Sequence, residues 1–445
     1  MADRSYPKFQ YTDTHMTYDR PLYSDERGLA LMNQYSGGFA IGAIFQLAGL
    51  VNPDSLRRSL DFLQQSYPRL NCRIVGDLKK PQFQEAGTEP IPLEFIQESD
   101  NLTWRDVAFK EVNTPLPREK YLLKCFLVSS SPTSHHLISI INHCITDGLS
   151  FMRMNDLLLK YYADAEEGKP LEKLEAPFPE SDREMSWRTH ALGAKFSSLK
   201  AWIRQIFATR SHNPQRLVPD QKLPVKERQG NFTDRFLELE VSRALIRRCK
   251  EEKAKLNGTV SAAMMLAVAE ELPKTKKENL NVSCQSYVDL RSHTTPRTKD
   301  DYMGLMTSSV CSFHKINPQT EIWDISKDID GQIQEQIKTE DFKRYPMLLA
   351  NLIELTLSAP EDATQTFSVT NLGKVRMKKS YGNLAVERFS MFPHITVYSN
   401  LIVLCMYKFR DRLGFTLSYS YPSLSSERVE RIGDRVVQIL TDIVS

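Results

Sequence analysis

The sequence of 445 residues has almost no excess of charge, because 58 lysines and arginines stand against 55 aspartates and glutamates, for a formal net charge of +3. A nucleic-acid-binding protein of this size would carry a strong basic surplus, so no nucleic-acid partner is expected. A long apolar run is also lacking: the longest, residues 37–51, contains Gln46 and is too short for a membrane span. Residues 1–10 carry Asp3, Arg4 and Lys8 with no apolar segment behind them, which predicts no secretory signal.

Paired cysteines are lacking as well. The seven cysteines are scattered and never form Cys-x-x-Cys, so reduced thiols and a cytoplasmic location are expected, with neither a zinc ribbon nor a disulfide framework. No metal site is expected, because His135 and His136 lack further convergent ligands. The glycines of residues 37–42 lack the Lys-Ser/Thr of a phosphate-binding loop, and the Gly-x-Ser-x-Gly of an α/β-hydrolase is absent.

Strand-like and helical patterns alternate in both halves of the chain, which predicts an α/β fold with two lobes. Residues 39–47 form an apolar segment typical of a buried strand. Asn52-Pro53 starts a helix that places Leu56, Leu60 and Leu63 on one face, and residues 242–256 also have helical spacing. Between the halves, residues 179–229 are rich in proline, lysine and arginine with few acids. We therefore expect a first lobe over 1–178, a basic linker over 179–229 with one surface helix near 193–208, and a second lobe over 230–445.

One segment carries the candidate chemistry, residues 140–150 with the sequence Ile-Ile-Asn-His-Cys-Ile-Thr-Asp-Gly-Leu-Ser. The pattern predicts a buried strand that ends at His143, a tight turn at Asp147-Gly148, and a helix start. Glycine would allow the turn, and a helix N-terminus favours developing negative charge. A neutral imidazole placed there would act as a general base, because its ordinary pKa is near working pH. The alternative is a core histidine satisfied by a backbone partner.

This segment resembles the His-His-x-x-x-Asp-Gly signature of the chloramphenicol-acetyltransferase-like superfamily, which includes condensation domains, alcohol acetyltransferases and polyketide-associated acyltransferases. Asn142 stands where the signature has its outer histidine, and His143 matches the inner one, which is the catalytic histidine of the family. Further matches occur in the family's order and cover residues 39 to 421. They are Asp54-x-Leu56-x-x-x-Leu60 with Tyr67-Pro68-Arg69-Leu70, then residues 256–263, Val288-Asp-Leu-Arg291, and Phe367-Ser-Val-Thr-Asn-Leu-Gly373.

The resemblance implies a role for each matched residue. His143 would be the general base, and Asp147 would be structural, paired with Arg291 so that the loop is fixed. Gly148 would allow the turn, and its N–H would face the oxyanion. Thr370 or Asn371 would donate to the same oxygen or contact substrate, although a turn residue that caps a strand explains them equally well. Lys374 and Arg376 would meet the phosphates of coenzyme A or an acidic carrier protein, with a solvated basic loop as the alternative.

The resemblance further implies two lobes, each a mixed sheet with flanking helices, an active-site tunnel between them, and a segment of the second lobe within residues 367–398 that crosses to the first. The expected function is transfer of an acyl group from a thioester, acyl-CoA or acyl carrier protein, to a small-molecule alcohol or, less favoured, an amine. The thioester is a co-substrate, so no bound cofactor is expected, and the protein is expected to be a monomer. Two alternatives stay open: a stand-alone condensation enzyme that uses carrier-protein donors and forms an amide or ester, and a non-catalytic scaffold of the same fold.

Overall fold

The computed structural model describes residues 19–172, 192–273, 279–294, 297–298, 302–358 and 363–445. Residues 1–18 and 173–178 of the expected first lobe and residues 179–191 of the expected linker lie outside this part of the chain. In chain order the strands are β1 (Arg20–Pro21), β2 (Ala40–Ala48), β3 (Arg73–Val75), β4 (Gln82–Gln84), β5 (Leu93–Gln97), β6 (Leu123–Ser131), β7 (Ser134–Asn142), β8 (Gln229–Phe236), β9 (Leu280–Asp289), β10 (Thr307–Ile316), β11 (Phe367–Lys374), β12 (Ser380–Tyr381), β13 (Leu384–Pro393), β14 (Ile402–Phe409) and β15 (Arg412–Tyr421).

The α-helices flank these strands. They are α1 (Ser24–Ser36), α2 (Pro53–Ser66), α3 (Trp104–Val112), α4 (Gly148–Glu166), α5 (Leu192–His212), α6 (Leu239–Glu251), α7 (Leu256–Glu270), α8 (Ile322–Thr339), α9 (Leu349–Ser358) and α10 (Ser426–Asp442). Within the described ranges, no helix is both long enough and apolar enough to cross a membrane.

Two six-stranded mixed sheets, together with a small sheet of order β1-β4-β3, organise the described residues. The first large sheet has the order β12-β13-β2-β7-β6-β5 and the second the order β10-β9-β11-β14-β15-β8. The α/β fold class with two sheet-and-helix lobes is therefore confirmed.

The first sheet is built around β2 and β7, which pair antiparallel along their full lengths from Ala40–Asn142 to Ala48–Ser134. Helix α2 begins after β2 because Asn52 caps it: its side-chain oxygen accepts hydrogen bonds from the backbone N–H of Asp54 at 3.0 Å and of Ser55 at 3.3 Å. The helix then buries Leu56, Leu60 and Leu63 on one face, the amphipathic spacing that the sequence predicts.

In the second sheet, β14 is buried on both faces. Alternate side chains, Val403, Cys405, Tyr407 and Phe409, join the hydrophobic core of the first lobe. The intervening Ile402, Leu404 and Met406 join the core of the second lobe. A strand buried on both faces has a nearly continuous apolar sequence, as β14 does. The two lobes therefore share this strand as a common wall.

A segment from the C-terminal half of the chain completes the first sheet. Strand β13 pairs antiparallel with β2, from Ala385–Ala48 to Pro393–Ile41, and carries the short β12 on its other edge. The preceding strand β11 stays in the second sheet, where it pairs parallel with β9 and with β14. The chain therefore crosses between the lobes after β11 and returns to the second sheet at β14.

Several elements differ from the sequence prediction. The helix expected over 242–256 begins earlier, as α6, and the segment 256–263 opens a single helix, α7. Strand β10 is not predicted at all, because its sequence Thr-Ser-Ser-Val-Cys-Ser-Phe-His-Lys-Ile is largely polar; it pairs only with β9, at the sheet edge. The surface helix of the expected linker is present as α5 and is longer than predicted.

Candidate active site

The centre of the candidate site is the turn that joins β7 to α4. Strand β7 ends at Asn142, a short 3-10 helix covers His143–Ile145, and Asp147 caps the N-terminus of α4. The Asn142 side-chain oxygen accepts a hydrogen bond from the Cys144 backbone N–H at 3.1 Å and so fixes the tight turn. Asn142 therefore has a local structural contact of its own at the position where the family signature has its outer histidine.

The imidazole of His143 is held by one nitrogen. Its Nδ1 lies 2.9 Å from the carbonyl oxygen of Thr146. A carbonyl oxygen only accepts, so Nδ1 carries the proton and Nε2 keeps its lone pair in the neutral ring. The ring stacks on Phe39 with centroids 5.4 Å apart and planes 14° apart. No hydrogen bond joins Nε2 to any described residue, so this nitrogen is available as a proton acceptor.

The surroundings of His143 favour its neutral form. Burial lowers the pKa of His143 below the ordinary histidine value of 6.5, against the opposing effect of its backbone hydrogen bonds and of the Asp147 charge. The residue as a whole is half-buried. A ring that is neutral at pH 7, anchored at Nδ1 and open at Nε2 has the properties that a general base requires.

Asp147 is the opposite case, because it is 4% exposed and all its contacts lie within the protein. Its Oδ1 accepts a hydrogen bond from the Ser150 N–H at 2.8 Å, and its Oδ2 accepts one from the Met306 N–H at 2.8 Å. The guanidinium of Arg291 donates to Oδ1 at 3.2 Å and to Oδ2 at 3.0 Å. The structure thus brings together Asp147 and Arg291, 144 residues apart in the chain, as a buried ion pair.

Arg291 is shared between two carboxylates. It is 2% exposed, and its Nη1 donates to Asp289 at 2.8 Å while Nη2 donates to Asp147. Burial lowers the pKa of Arg291, but the charges of Asp147 and Asp289 outweigh this effect and raise the net pKa. The arginine therefore stays charged in the interior and ties the end of β9 to the start of α4.

Ser150 is a member of this network that the sequence does not single out. Its hydroxyl accepts hydrogen bonds from Arg291 Nη2 at 2.6 Å and from the Gly304 N–H at 3.0 Å, and it donates to the Gly304 carbonyl at 2.8 Å. Asp289 and the 302–306 loop are likewise missed. The one signal available was the Asp-Gly-x-Ser spacing, in which a serine follows a helix cap by three residues.

Two neighbouring side chains limit the space at Gly148. Its φ is not in the left-handed region, so the turn itself does not demand glycine. A Cβ at this position would lie 2.8 Å from Leu372 Cδ2 and 3.5 Å from Met391 Sδ. The approach of β11 and β13 to the start of α4 therefore leaves little room for a side chain at Gly148, and its role in the turn stays a prediction.

Thr370 and Asn371 lie on β11, in the second sheet. The Asn371 side chain accepts a hydrogen bond from the Gly373 N–H at 2.8 Å and donates to Asn257 Oδ1 at 3.2 Å. These are the contacts of a residue that fixes the turn at the end of a strand. Thr370 is half-buried one residue earlier.

A cavity of about 820 Å³ lies beside this network. The first turns of α4, the end of β9 and the end of β11 enclose it, and the buried Arg291 reaches its wall. His143 is not among its lining residues, so a tunnel centred on His143 stays a prediction. The charged side chains that line the cavity, besides Arg291, are Arg153, Arg297, Lys374, Arg376, Asp156 and Asp289.

The side chains that line this cavity carry a net positive charge, and both lining aspartates are paired with neighbouring residues. Asp156 pairs with Arg153 at 3.4 Å and accepts a short hydrogen bond from the Tyr381 hydroxyl of β12, and Asp289 pairs with Arg291. The structure places both predicted basic residues, Lys374 and Arg376, on this wall. An anionic group would therefore find a favourable field here.

Comparison with known proteins supports the family resemblance. Residues 231–417 match the family described as the phthiocerol/phthiodiolone dimycocerosyl transferase C-terminus. A hybrid PKS-NRPS synthetase, ucsA, of an Acremonium species is 27% identical over 170 residues, which are 38% of this chain. The match covers 4% of that synthetase.

Solved structures show the same fold. The trichothecene 15-O-acetyltransferase TRI3 from Fusarium sporotrichioides superposes with a TM-score of 0.74 at 10% identity, covering 96% of this chain and 95% of that one. Polyketide synthase associated protein 5 from Mycobacterium tuberculosis gives 0.68 at 16% identity, over 95% and 100% of the two chains. The first condensation domain of the calcium-dependent antibiotic synthetase gives 0.71 at 15% identity, over 95% and 96%. The chain therefore shares the fold of these proteins, and its residues 231–417 match a transferase family.

Proposed function

We propose that this protein is an acyltransferase that moves an acyl group from a thioester donor to a hydroxyl acceptor, with His143 as the general base. The observation that carries the proposal is the state of the His143 ring: Nδ1 is held by the Thr146 carbonyl, Nε2 has no described partner, and burial keeps the ring neutral. The match to an acyltransferase family over residues 231–417 supports the same reaction class.

In this reaction, Nε2 of His143 takes the proton from the acceptor hydroxyl as the oxygen attacks the thioester carbonyl. A carbon–oxygen bond forms, the tetrahedral intermediate collapses, and the carbon–sulfur bond breaks. The proton held on His143 then passes to the leaving thiolate, so the products are an ester and a free thiol. Because the donor is already an activated thioester, no acyl-enzyme on serine or cysteine is needed.

Two groups are candidates to stabilise the intermediate oxyanion. Gly148 is the first residue of α4, so its N–H has no acceptor within the helix. Of the two predicted residues on β11, Thr370 is the better donor, because both polar atoms of the Asn371 side chain are engaged in the turn. Removing one donor to an oxyanion typically lowers kcat by about 10²–10³-fold.

The donor is proposed to bind through the cavity between α4, β9 and β11. Its basic wall suits the phosphates of either coenzyme A or the phosphopantetheine arm of an acyl carrier protein, since both present the same thiol-bearing chain. The similarity to a PKS-NRPS synthetase and to condensation domains favours the carrier protein as the second candidate donor. The ester is preferred to the amide because the 370–373 stretch resembles the alcohol-acetyltransferase branch.

The test is acceptor-dependent thiol release from short to long acyl-CoAs, repeated with acyl carrier proteins, in the wild type and in His143→Ala. General-base catalysis contributes about 10²–10⁴-fold, so His143→Ala should lose activity by that factor with every active donor. His136→Ala is the matched control: this histidine lies on β7, the strand that ends just before His143, and stacks on Trp104, away from the turn. It should keep its activity.

Each outcome of this test distinguishes between the proposed function and one alternative. Release that survives His143→Ala in a folded variant contradicts the role of His143. Activity with carrier-protein donors alone supports the condensation-type enzyme, and activity only with amine acceptors contradicts ester formation. Binding of donors with no turnover in any combination contradicts an enzyme and favours a scaffold of the same fold.

A further inference from the structure

A side chain from the first lobe holds the edge of the second sheet. The edge strand is β8, and Asn113, at the end of α3, faces its residue Gly230. The Asn113 Oδ1 accepts a hydrogen bond from the Gly230 N–H at 2.7 Å, and Nδ2 donates to the Gly230 carbonyl at 2.9 Å. Nδ2 also donates to the Phe109 carbonyl at 2.8 Å. Both polar atoms of the amide are engaged, so its orientation is fixed.

His394, which follows β13, shares the same amide. Its Nε2 lies 3.1 Å from Oδ1 of Asn113. Because this oxygen only accepts, Nε2 carries the proton and donates it. The histidine is 3% exposed, and burial lowers its pKa to about 4, so the ring is neutral at pH 7. The ring of His394 is therefore oriented by Asn113.

Two glycines enclose the His394 ring. A Cβ at Gly230 would lie 2.3 Å from its Cδ2, and a Cβ at Gly38 would lie 3.3 Å from its Cε1. Gly38 comes just before β2, in the first lobe. The ring therefore contacts the edge of the second sheet on one side and the start of β2 on the other, and close packing leaves it little room to shift.

The start of β2 is also the support of His143. The Phe39 carbonyl accepts a hydrogen bond from the His143 N–H at 3.2 Å, and the two rings stack with centroids 5.4 Å apart. On the other side of the strand, the His394 N–H donates to the Ala40 carbonyl at 2.8 Å. Residues 38–40 thus lie between the two histidines, and a shift of one is transmitted to the other through this short segment.

We propose that Asn113 and His394 are positioning residues for His143. They hold residues 38–40 in place and so fix the Phe39 ring on which the general base stacks. They do not touch the reacting atoms, and they tie the orientation of the base to the contact between the lobes. The effect on the rate rests on the proposed function, whereas the effect on the orientation of the His143 ring does not.

The first test is the histidine ring-proton NMR spectrum of the full chain, with the His143 signal assigned by its absence from His143→Ala. A stacked aromatic ring shifts the resonances of the ring above it, so this signal reports the contact with Phe39. Asn113→Ala should move the signal. Gly230→Ala should move it as well, because the added methyl group displaces the His394 ring while Asn113 is retained.

Gln332→Ala is the matched control. The Gln332 amide makes the same pair of bonds with Phe313 of β10, the opposite edge strand of the same sheet: it accepts from the N–H at 2.9 Å and donates to the carbonyl at 2.8 Å. The substitution removes the same contacts with an edge strand, but far from residues 38–40. The His143 signal and kcat should stay at their wild-type values.

The second test is a double-mutant cycle on acyl transfer. Asn113→Ala should lower kcat about ten- to a hundredfold and leave KM for the donor nearly unchanged, because a displacement of about 1 Å at a reacting group can cost about 10²-fold. In the His143→Ala background the same substitution should cause no further loss, since the residue through which it acts is gone.

Two results would overturn the proposal. One is a His143 signal that stays in place in both Asn113→Ala and Gly230→Ala. The other is an equal loss of kcat when Asn113→Ala is introduced into the wild type and into His143→Ala, which would show that Asn113 acts independently of the base. Full activity in His143→Ala would instead contradict the proposed function, and the NMR signal would then decide the positioning role alone.

Discussion

His143 and Asp147 lie four residues apart on one turn, yet their side chains differ in how many of their polar atoms have partners. Both oxygens of Asp147 are engaged, by two backbone N–H groups and by Arg291. His143 is anchored by one nitrogen and leaves the other open. The comparison separates a residue whose side chain holds the turn from one whose Nε2 is left open, which is the proposed general base. Substitutions should therefore separate stability from chemistry.

The largest expected effect on stability is at the residue that holds the site. Asp147→Ala leaves Arg291 buried with one carboxylate, Asp289, and removes the cap of α4. Breaking a buried pair by removing one partner costs about 3–5 kcal/mol, and the remaining Asp289 keeps this variant near the lower end. We expect a loss of about 3 kcal/mol in the free energy of unfolding, measured by urea denaturation.

Asp434→Ala is the control, because Asp434 pairs with Arg235 at 2.6 Å but is 69% exposed in its side chain. It should cost no more than about 1 kcal/mol. His143→Ala should melt close to the wild type. If Asp147→Ala were as stable as Asp434→Ala, the structural role assigned to Asp147 would be wrong.

The pH dependence of kcat/KM tests the proposed role of His143 as the general base. Because burial lowers the pKa of His143, the base stays unprotonated at pH values down to and below the ordinary 6.5. We expect kcat/KM to be flat from pH 7 to 6.5 and to fall about tenfold per pH unit only below the lowered pKa. An acid limb that begins above pH 6.5 would contradict this environment for His143.

The free energy of unfolding should depend on pH in the same direction as the activity does. The unfolded chain binds a proton at His143 near pH 6.5, and the folded chain binds it only at lower pH. The contribution of His143 is therefore complete above 6.5 and is lost as the pH falls through that window. His143→Gln should therefore lose less stability in acid than the wild type does. Part of the loss should remain in both, because burial also lowers the pKa values of His136 and His394 to about 4.

A smaller effect is expected at Gly148, where the helix meets β11. Gly148→Ala places a methyl group 2.8 Å from Leu372 Cδ2, and overpacking of this kind costs about 1–3 kcal/mol. Because the clash is with the end of a side chain, we expect about 1 kcal/mol by urea denaturation, with recovery in Gly148→Ala/Leu372→Val. Gly331→Ala in α8, where nothing lies within 4 Å, should instead stabilise.

The smallest effect is expected at the basic wall of the cavity. Lys374→Ala combined with Arg376→Ala should raise KM for acyl-CoA about two- to tenfold and leave kcat unchanged, because exposed charges contribute about 0.2–1 kcal/mol each. Lys378→Ala combined with Lys379→Ala removes the same charge from exposed residues that do not line the cavity. If KM rose equally in the two double variants, Lys374 and Arg376 would be ordinary solvated loop residues that do not contact the donor.

The sequence predicts the parts of the fold and site that depend on short-range pattern. The Asn52 cap, the stripe of Leu56, Leu60 and Leu63, and the turn from His143 to Asp147 are all local, and they appear where expected. Arg291 was located only through the family resemblance, since no periodicity links it to Asp147.

What the sequence misses depends on segments that meet only in the folded chain. Ser150 is an ordinary third residue of a helix until the 302–306 loop and Arg291 reach its hydroxyl. Gly148 looks like a turn glycine, and only the folded chain shows that Leu372 limits the space for a side chain there. The polar sequence of β10 is acceptable in a strand because it lies at the sheet edge.

The position of β13 has a consequence for how the chain reaches its folded state. Residues 384–393 pair with β2 and so complete a sheet whose other long strands were made hundreds of residues earlier. While the chain leaves the ribosome, β2 presents an unpaired apolar edge until β13 emerges. A fragment ending before residue 384 would keep this edge open and should aggregate. The first lobe should become resistant to proteolysis only when nearly the whole sequence has been synthesised.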